Sequence, residues 1–170
     1  MTNTPAACLI GWPAAHSRSP LIHKYWLKTF GIDGDYRIEA VEPAAFADFI
    51  GSLKARGYKG ANVTIPHKEQ ALALSLPDAR ARAVGAANTL YFDKGGALHS
   101  TNTDVEGFIG NLDASAPGWD APSDALVLGA GGSARAVVFG LIERGIKRVH
   151  LAHRTRDRAL RITRLGCGDT

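Results

Sequence analysis

The chain has 170 residues, is 45% hydrophobic and 21% charged, and carries a formal net charge of +4. That length holds one large domain or two small ones, the composition is globular rather than disordered, and no apolar run reaches the roughly 18–20 residues of a membrane span. The excess positive charge falls within residues 123–170, so a bound anion is to be sought there, with nucleic acid and a phosphorylated cofactor as candidates.

The N-terminal Met1, Thr2, Asn3, Thr4 and Pro5 offer no basic start before the first apolar run, so no signal peptide is expected. The run at 7–11, closed by Trp12 and Pro13, reads as a strand. Ser19 and Pro20 suit an N-cap and a first turn. Leu21, Ile22, Tyr25, Trp26 and Phe30 then recur at helical spacing up to Gly31. Tyr36, Ile38 and Ala40 alternate with Arg37, Glu39 and Val41, as in a half-buried strand. Pro43 opens a helix with Phe46, Phe49, Ile50 and Leu53 on one face. A brief strand at 60–64 follows, then a helix opened by Pro66 and a short one at 77–84. Runs at 87–92 and 97–100 flank Lys94, Gly95 and Gly96, a hairpin signal. Thr103 or Asp104 caps a helix reaching about Leu112.

Residues 115–123, with Pro117, Gly118 and Pro122, read as a linker. They divide a domain at 1–114 from one at 123–170. The second starts with a strand at 125–128, a glycine turn, a helix at 133–144, a strand at 149–152 and a basic helix from about Thr155. The expected class is α/β, an N-terminal α/β substrate domain followed by a partial Rossmann βαβ unit. Cys8 and Cys167 lie far apart and fit no metal or disulfide framework, so no metal is expected and a reducing, cytoplasmic setting is.

Gly129, Ala130, Gly131, Gly132, Ser133 and Ala134 have the form G-x-G-x-x-A between a strand and a helix. Gly129 permits a tight turn, Gly131 lets the backbone approach a pyrophosphate at the helix N-terminus, and Ala134 is small enough for close helix–strand packing. The second strand selects the cofactor. An NAD site places a carboxylate at its end; here stand His153, Arg154 and Thr155, with Arg158 beyond. Guanidinium and hydroxyl donors suit a 2′-phosphate, so NADP is preferred. Without interleaved aromatic residues, nucleic-acid binding is not expected.

Three polar groups stand out in the first domain. Ser17 and Ser19 at a helix N-terminus suit a small carboxylate. Strand alternation turns Asn62 and Thr64 to one side, and Pro66 at the first helical position would put Lys68 in the first turn. A cation there opposes the helix dipole, a field that favours an ammonium as proton donor. Asn88 and the run Asn102, Thr103, Asp104 form the third group. Asp104 either caps its helix or pairs with Lys68.

Together these motifs resemble the shikimate dehydrogenase family. The pieces are Ser17-Arg18-Ser19-Pro20, Asn62-Val63-Thr64-Ile65-Pro66-His67-Lys68, Gly85-Ala86-Ala87-Asn88-Thr89, Asn102-Thr103-Asp104-Val105-Glu106-Gly107, the glycine turn and His153-Arg154-Thr155. The resemblance implies a two-domain enzyme with its site in the cleft. It implies reversible NADPH-dependent reduction of 3-dehydroshikimate to shikimate, on the route to chorismate and aromatic amino acids. Ser17 and Ser19 would bind the substrate carboxylate. Thr64, Asn88 and Asp104 would hold ring hydroxyls, and Lys68 would be the catalytic acid/base with Asp104 beside it. The partner is a small molecule, not nucleic acid or a membrane, and a homodimer is compatible with it.

Two features depart from the family pattern. His153 stands where the family has Asn, which makes a phosphate contact there pH-dependent. The family's chains are also longer, with further strands and a helical segment returning to the first domain and contributing a glutamine to the substrate. An incomplete chain with little turnover and a tendency to associate is the resulting expectation. A quinate/shikimate dehydrogenase and a non-catalytic binding remnant are the alternative readings.

Overall fold

Cys8, Leu9 and Ile10 are all buried, so β1 (Ala6–Gly11) is covered on both faces, as an interior parallel strand must be. In this computed structural model, which describes residues 4–163, β1 pairs in parallel with β2 (Asp35–Ala40) on one side and β3 (Tyr58–Val63) on the other. A two-residue β4 (Leu76–Pro77) forms one edge. β5 (Thr89–Phe92) pairs antiparallel with β3, and β6 (Leu98–Thr101) pairs antiparallel with β5 as the expected hairpin. The order is β2-β1-β3-β5-β6-β4. Residues 1–3 and 164–170 lie outside the described residues, and with them the start of the chain, Cys167 and the closing run to Thr170.

The helices follow the apolar spacing with local corrections. In α1 (Ser19–Thr29) Arg18, not Ser19, occupies the cap position. Ser17 Oγ accepts the Ser19 N–H at 3.2 Å; Pro20 has no N–H, so the Ser19 amide is the nearest donor. None of the α1 residues is buried, and Leu21, Tyr25 and Phe30 are 67%, 66% and 71% exposed. The periodicity was that of a helix, but its apolar residues lie at the surface. A 3-10 turn (Pro43–Ala45) leads into α2 (Phe46–Ser52), which buries Phe46, Phe49 and Ile50 against the sheet.

Pro66 does not open the next helix. The chain turns first, with the His67 N–H donating to Thr64 O at 3.0 Å, and α3 (Lys68–Ala73) starts at Lys68 itself. His67 anchors that turn: its Nε2 donates to Val41 O at 2.8 Å and its ring stacks on Phe46 at 4.3 Å. Leu76–Pro77 pairs with β6 rather than starting a helix, so α4 (Ala79–Val84) begins later, capped by Asp78 accepting from the Ala81 N–H at 2.7 Å. Thr103 occupies the cap position of α5 (Asp104–Ser115) without a side-chain capping bond; Asn102 Oδ1 accepts the Asp104 N–H at 3.0 Å. That leaves the aspartate carboxylate available elsewhere.

The second sheet comprises β7 (Asp124–Leu128) and β8 (Arg148–Ala152), parallel and joined by α6 (Gly132–Glu143). The basic helix α7 (Arg156–Thr163) follows. Val127, Val138, Leu141, Ile146 and Ile162 pack on one face of this pair, with Trp119 of the linker and Phe108 of α5 against them. Val84, Ala86, Val105 and Ala136 form a small cluster where α6 meets α4 and α5. The other face is bare: Leu126 and Leu128 are 66% and 78% exposed, and among the described residues β7 pairs with β8 alone. The chain is thus α/β, and none of its described helices is long and apolar enough to cross a membrane.

Candidate functional site

Ser17, Ser19 and Thr64 line one cavity of about 330 Å³, together with His16 and Arg18. Backbone pairing puts Thr64 there, its N–H donating to Ile10 O at 2.9 Å as β3 leaves the sheet. Gly11 makes room for it, since a Cβ at that position would collide with the Thr64 methyl group. The two serine hydroxyls are 3.2 Å apart, a pair of donors suited to one carboxylate.

Lys68 is 7% exposed, and a buried ammonium must be paired. Its Nζ donates to Asp104 Oδ2 at 2.7 Å and to Ser133 Oγ at 3.2 Å. Asn88 Nδ2 donates to Asp104 Oδ1 at 2.9 Å, so both carboxylate oxygens are engaged. Of the two alternatives open for Asp104, the geometry shows pairing with Lys68. The lysine has three N–H groups and uses two, leaving one for an oxygen brought by a ligand. Such an arrangement can stabilise a developing alkoxide or hand it a proton. Lys68 also abuts the glycine turn: its side chain lies 3.2 Å from where a Gly132 Cβ would stand.

Gly129 sits at φ +125°, a conformation that favours glycine, and Gly131 caps α6. Ala130, Gly131, Gly132, Glu69, Arg135, Arg158 and Arg161 enclose a cavity of about 230 Å³. Three guanidinium groups beside a helix N-terminus suit phosphate groups, and one carboxylate, Glu69, is held by Arg135 at 3.4 Å. Of the residues expected after β8 on the 2′-phosphate side, Arg158 reaches this cavity. His153, Arg154 and Thr155 lie outside it in the loop after β8, where the Thr155 N–H donates to His153 Nδ1 at 2.8 Å. Ser133 is directed to Lys68, and Ala134 packs into the second core. Arg135 and Arg161 line this cavity beyond the residues the sequence singled out; Arg161 follows Arg158 by one helical turn, a spacing that brings the two guanidinium groups to one face.

Comparisons with known proteins point to one family. A family described as the shikimate dehydrogenase substrate binding domain matches residues 9–90. The chain is 81% identical over 159 residues to shikimate dehydrogenase (NADP(+)) of Afipia carboxidovorans, a match covering 94% of this chain and 57% of that protein. It is 72% identical over 159 residues to the protein of the same name from Rhodopseudomonas palustris strain BisB18, with the same coverages of 94% and 57%. The crystal structure of shikimate dehydrogenase from Aquifex aeolicus superimposes with a TM-score of 0.87 at 33% identity, covering 96% of this chain and 62% of that one. The enzyme from Thermus thermophilus, solved in complex with NADP(H) and shikimate, gives 0.79 at 36% identity, covering 93% and 59%. The chain therefore spans 57% of the length of these curated relatives. By sequence and by fold, the chain is similar to shikimate dehydrogenases over the part of their length that it spans.

Proposed function

We propose that the chain carries the substrate site and the glycine turn of an NADP-dependent shikimate dehydrogenase, working in the reversible reduction of 3-dehydroshikimate to shikimate. Residues 1–114 form the substrate domain and residues 123–170 belong to the NADP-binding domain. Ser17 and Ser19 hold the substrate carboxylate, and Thr64, Asn88 and Asp104 hold its ring hydroxyls. Lys68 donates its remaining N–H to the ketone oxygen and protonates it as negative charge develops there. Asp104 keeps the ammonium aimed at that oxygen.

Gly129, Ala130, Gly131, Gly132, Ser133 and Ala134 form the phosphate-binding turn, with His153, Arg154, Thr155 and Arg158 on the 2′-phosphate side. The nicotinamide cofactor, when bound, supplies the hydride. A cytoplasmic setting and association into a homodimer belong to the same reading.

The observation that carries it is the buried Lys68 ammonium, paired with Asp104 and touching Ser133 of the glycine turn. Fluorescence titration with NADPH and NADH, each with and without shikimate, tests it. The expected result is NADPH binding at least about tenfold tighter than NADH, roughly 1.4 kcal/mol, with shikimate binding lost in Ser17→Ala/Ser19→Ala. Equal affinity for the two cofactors, or no shikimate binding, overturns it.

A further inference from the structure

Tyr36 is buried at 3% exposure on β2, yet its hydroxyl donates to Asn62 Oδ1 on β3 at 2.7 Å, reaching over the intervening strand β1. The register explains how. Ala7 of β1 lies opposite both Tyr36 and Gly60, so only small residues stand beneath the ring. A Cβ at Gly60 would overlap the Leu90 carbonyl. Asn62 in turn pairs in register with Thr89 of β5, and its Nδ2 donates to Thr89 Oγ1 at 3.2 Å. Thr89 Oγ1 donates to Asn88 Oδ1 at 3.0 Å, and Asn88 Nδ2 donates to Asp104 Oδ1 at 2.9 Å.

The direction of this chain is fixed by one group. The Thr103 backbone N–H can only donate, and it points at Asn88 Oδ1 at 3.0 Å. Asn88 Oδ1 is therefore the acceptor, and its Nδ2 faces the carboxylate and Thr103 Oγ1 at 3.0 Å. Thr89 must then spend its proton on Asn88 and accept from Asn62, whose carbonyl is left to receive the Tyr36 proton. Every donor points toward Asp104. Burial also pushes the Tyr36 phenol above its ordinary value, which keeps it a donor. Hydrogen bonds aligned this way polarise one another. The far end is fixed as well: the His23 ring stacks on Tyr36 at 3.9 Å, and its Nδ1 donates to Ser19 O at 2.8 Å.

We propose that Tyr36, Asn62 and Thr89 are positioning residues of the site, a one-way relay that orients the Asn88 carboxamide and through it the Asp104 carboxylate. The relay rests on the reading of Asn88 and Asp104 as substrate-holding groups. It ties the serine end of the site to the lysine end across four strands' width of one sheet face.

The test compares Thr89→Val, which keeps the branched shape and removes the hydroxyl, with Thr89→Ser, which restores it, and with Tyr36→Phe at the other end. Two readouts are taken: hydrogen exchange of the Asn88 side-chain amide by ¹⁵N NMR, and shikimate affinity by calorimetry. In Thr89→Val, amide exchange should quicken and shikimate affinity fall, each about tenfold, with the backbone spectrum of the distant second sheet unchanged. Thr89→Ser should recover both, and Tyr36→Phe should shift both in the same direction by less. An unchanged Asn88 amide in Thr89→Val, or no recovery in Thr89→Ser, overturns the relay. If Thr89→Val does not fold, Tyr36→Phe decides by the same amide signal. Failure of the unsubstituted chain to bind shikimate would overturn the proposed function, while the amide readout would still decide the relay.

Discussion

The Lys68 ammonium meets the Asp104 carboxylate at 2.7 Å with 8% of the lysine side chain and 26% of the aspartate side chain exposed. Such a pair is held by partial burial and by the second oxygen's bond to Asn88, which distinguishes it from a solvent-exposed ion pair.

Removing either member should therefore separate chemistry from folding. Lys68→Met is expected to abolish whatever NADP-dependent shikimate oxidation the chain sustains while leaving NADPH affinity within a fewfold of the unsubstituted chain. Asp104→Ala leaves the ammonium with the Ser133 hydroxyl alone and should cost about 1–3 kcal/mol in urea unfolding. Loss of NADPH binding in Lys68→Met would contradict a role confined to the proton.

His67 predicts an acid-sensitive fold. It is 1% exposed, and burial holds its imidazole below the ordinary value of 6.5, while the Val41 carbonyl opposes that shift. The unfolded chain binds the proton more readily, so this contribution is complete above about pH 6.5 and is lost as pH falls toward the folded value. The thermal midpoint should drop between pH 7.5 and pH 5.5, and His67→Asn should flatten that slope even though it lowers stability at both. Asp35, held down to about 2 chiefly by its bond to Arg37, acts in a separate window: its contribution is present above 3.8 and fades only below it.

The three guanidinium groups at the glycine turn should be separable by ligand. Arg158→Ala and Arg161→Ala are each expected to weaken NADPH about tenfold, or roughly 1.4 kcal/mol, without changing shikimate affinity. The loss should diminish in high salt, because such contacts are screened. Calorimetric titration of each variant at two salt concentrations checks this, and an unaltered Arg161→Ala would return that residue to the ordinary surface.

Leu126 and Leu128 predict association. Two large apolar side chains, 66% and 78% exposed on a strand whose outer edge is unpaired among the described residues, form a template for another chain. Sedimentation of the purified 170-residue chain should show mass rising with concentration, and Leu126→Lys/Leu128→Lys should bring it back to the monomer. Concentration-independent mass would show that the bare face is tolerated.

Period and punctuation made the strands, the hairpin and the βαβ unit legible, because Gly129, like Gly85 after α4, stands at a positive φ where backbone geometry leaves little choice. What the sequence concealed was where apolar faces point. Leu21, Tyr25 and Phe30 have helical spacing whether or not anything covers them. The start of α3 was displaced because His67, a side chain with a long-range partner at Val41, sets that turn. Within the site, Lys68 and Asp104 could be named as a potential pair but not placed, being 36 positions apart. The Tyr36–Asn62–Thr89 relay was invisible because it depends on strand register, which no local pattern specifies.

The contact between Lys68 and Ser133 joins positions 65 residues apart. The first sheet completes its own ladder from residues before 102, so it can form before the glycine turn leaves the ribosome. The lysine's surroundings cannot: its second partner arrives only with the onset of α6. During synthesis, therefore, every residue of that sheet is available before the full set of partners of the Lys68 ammonium is.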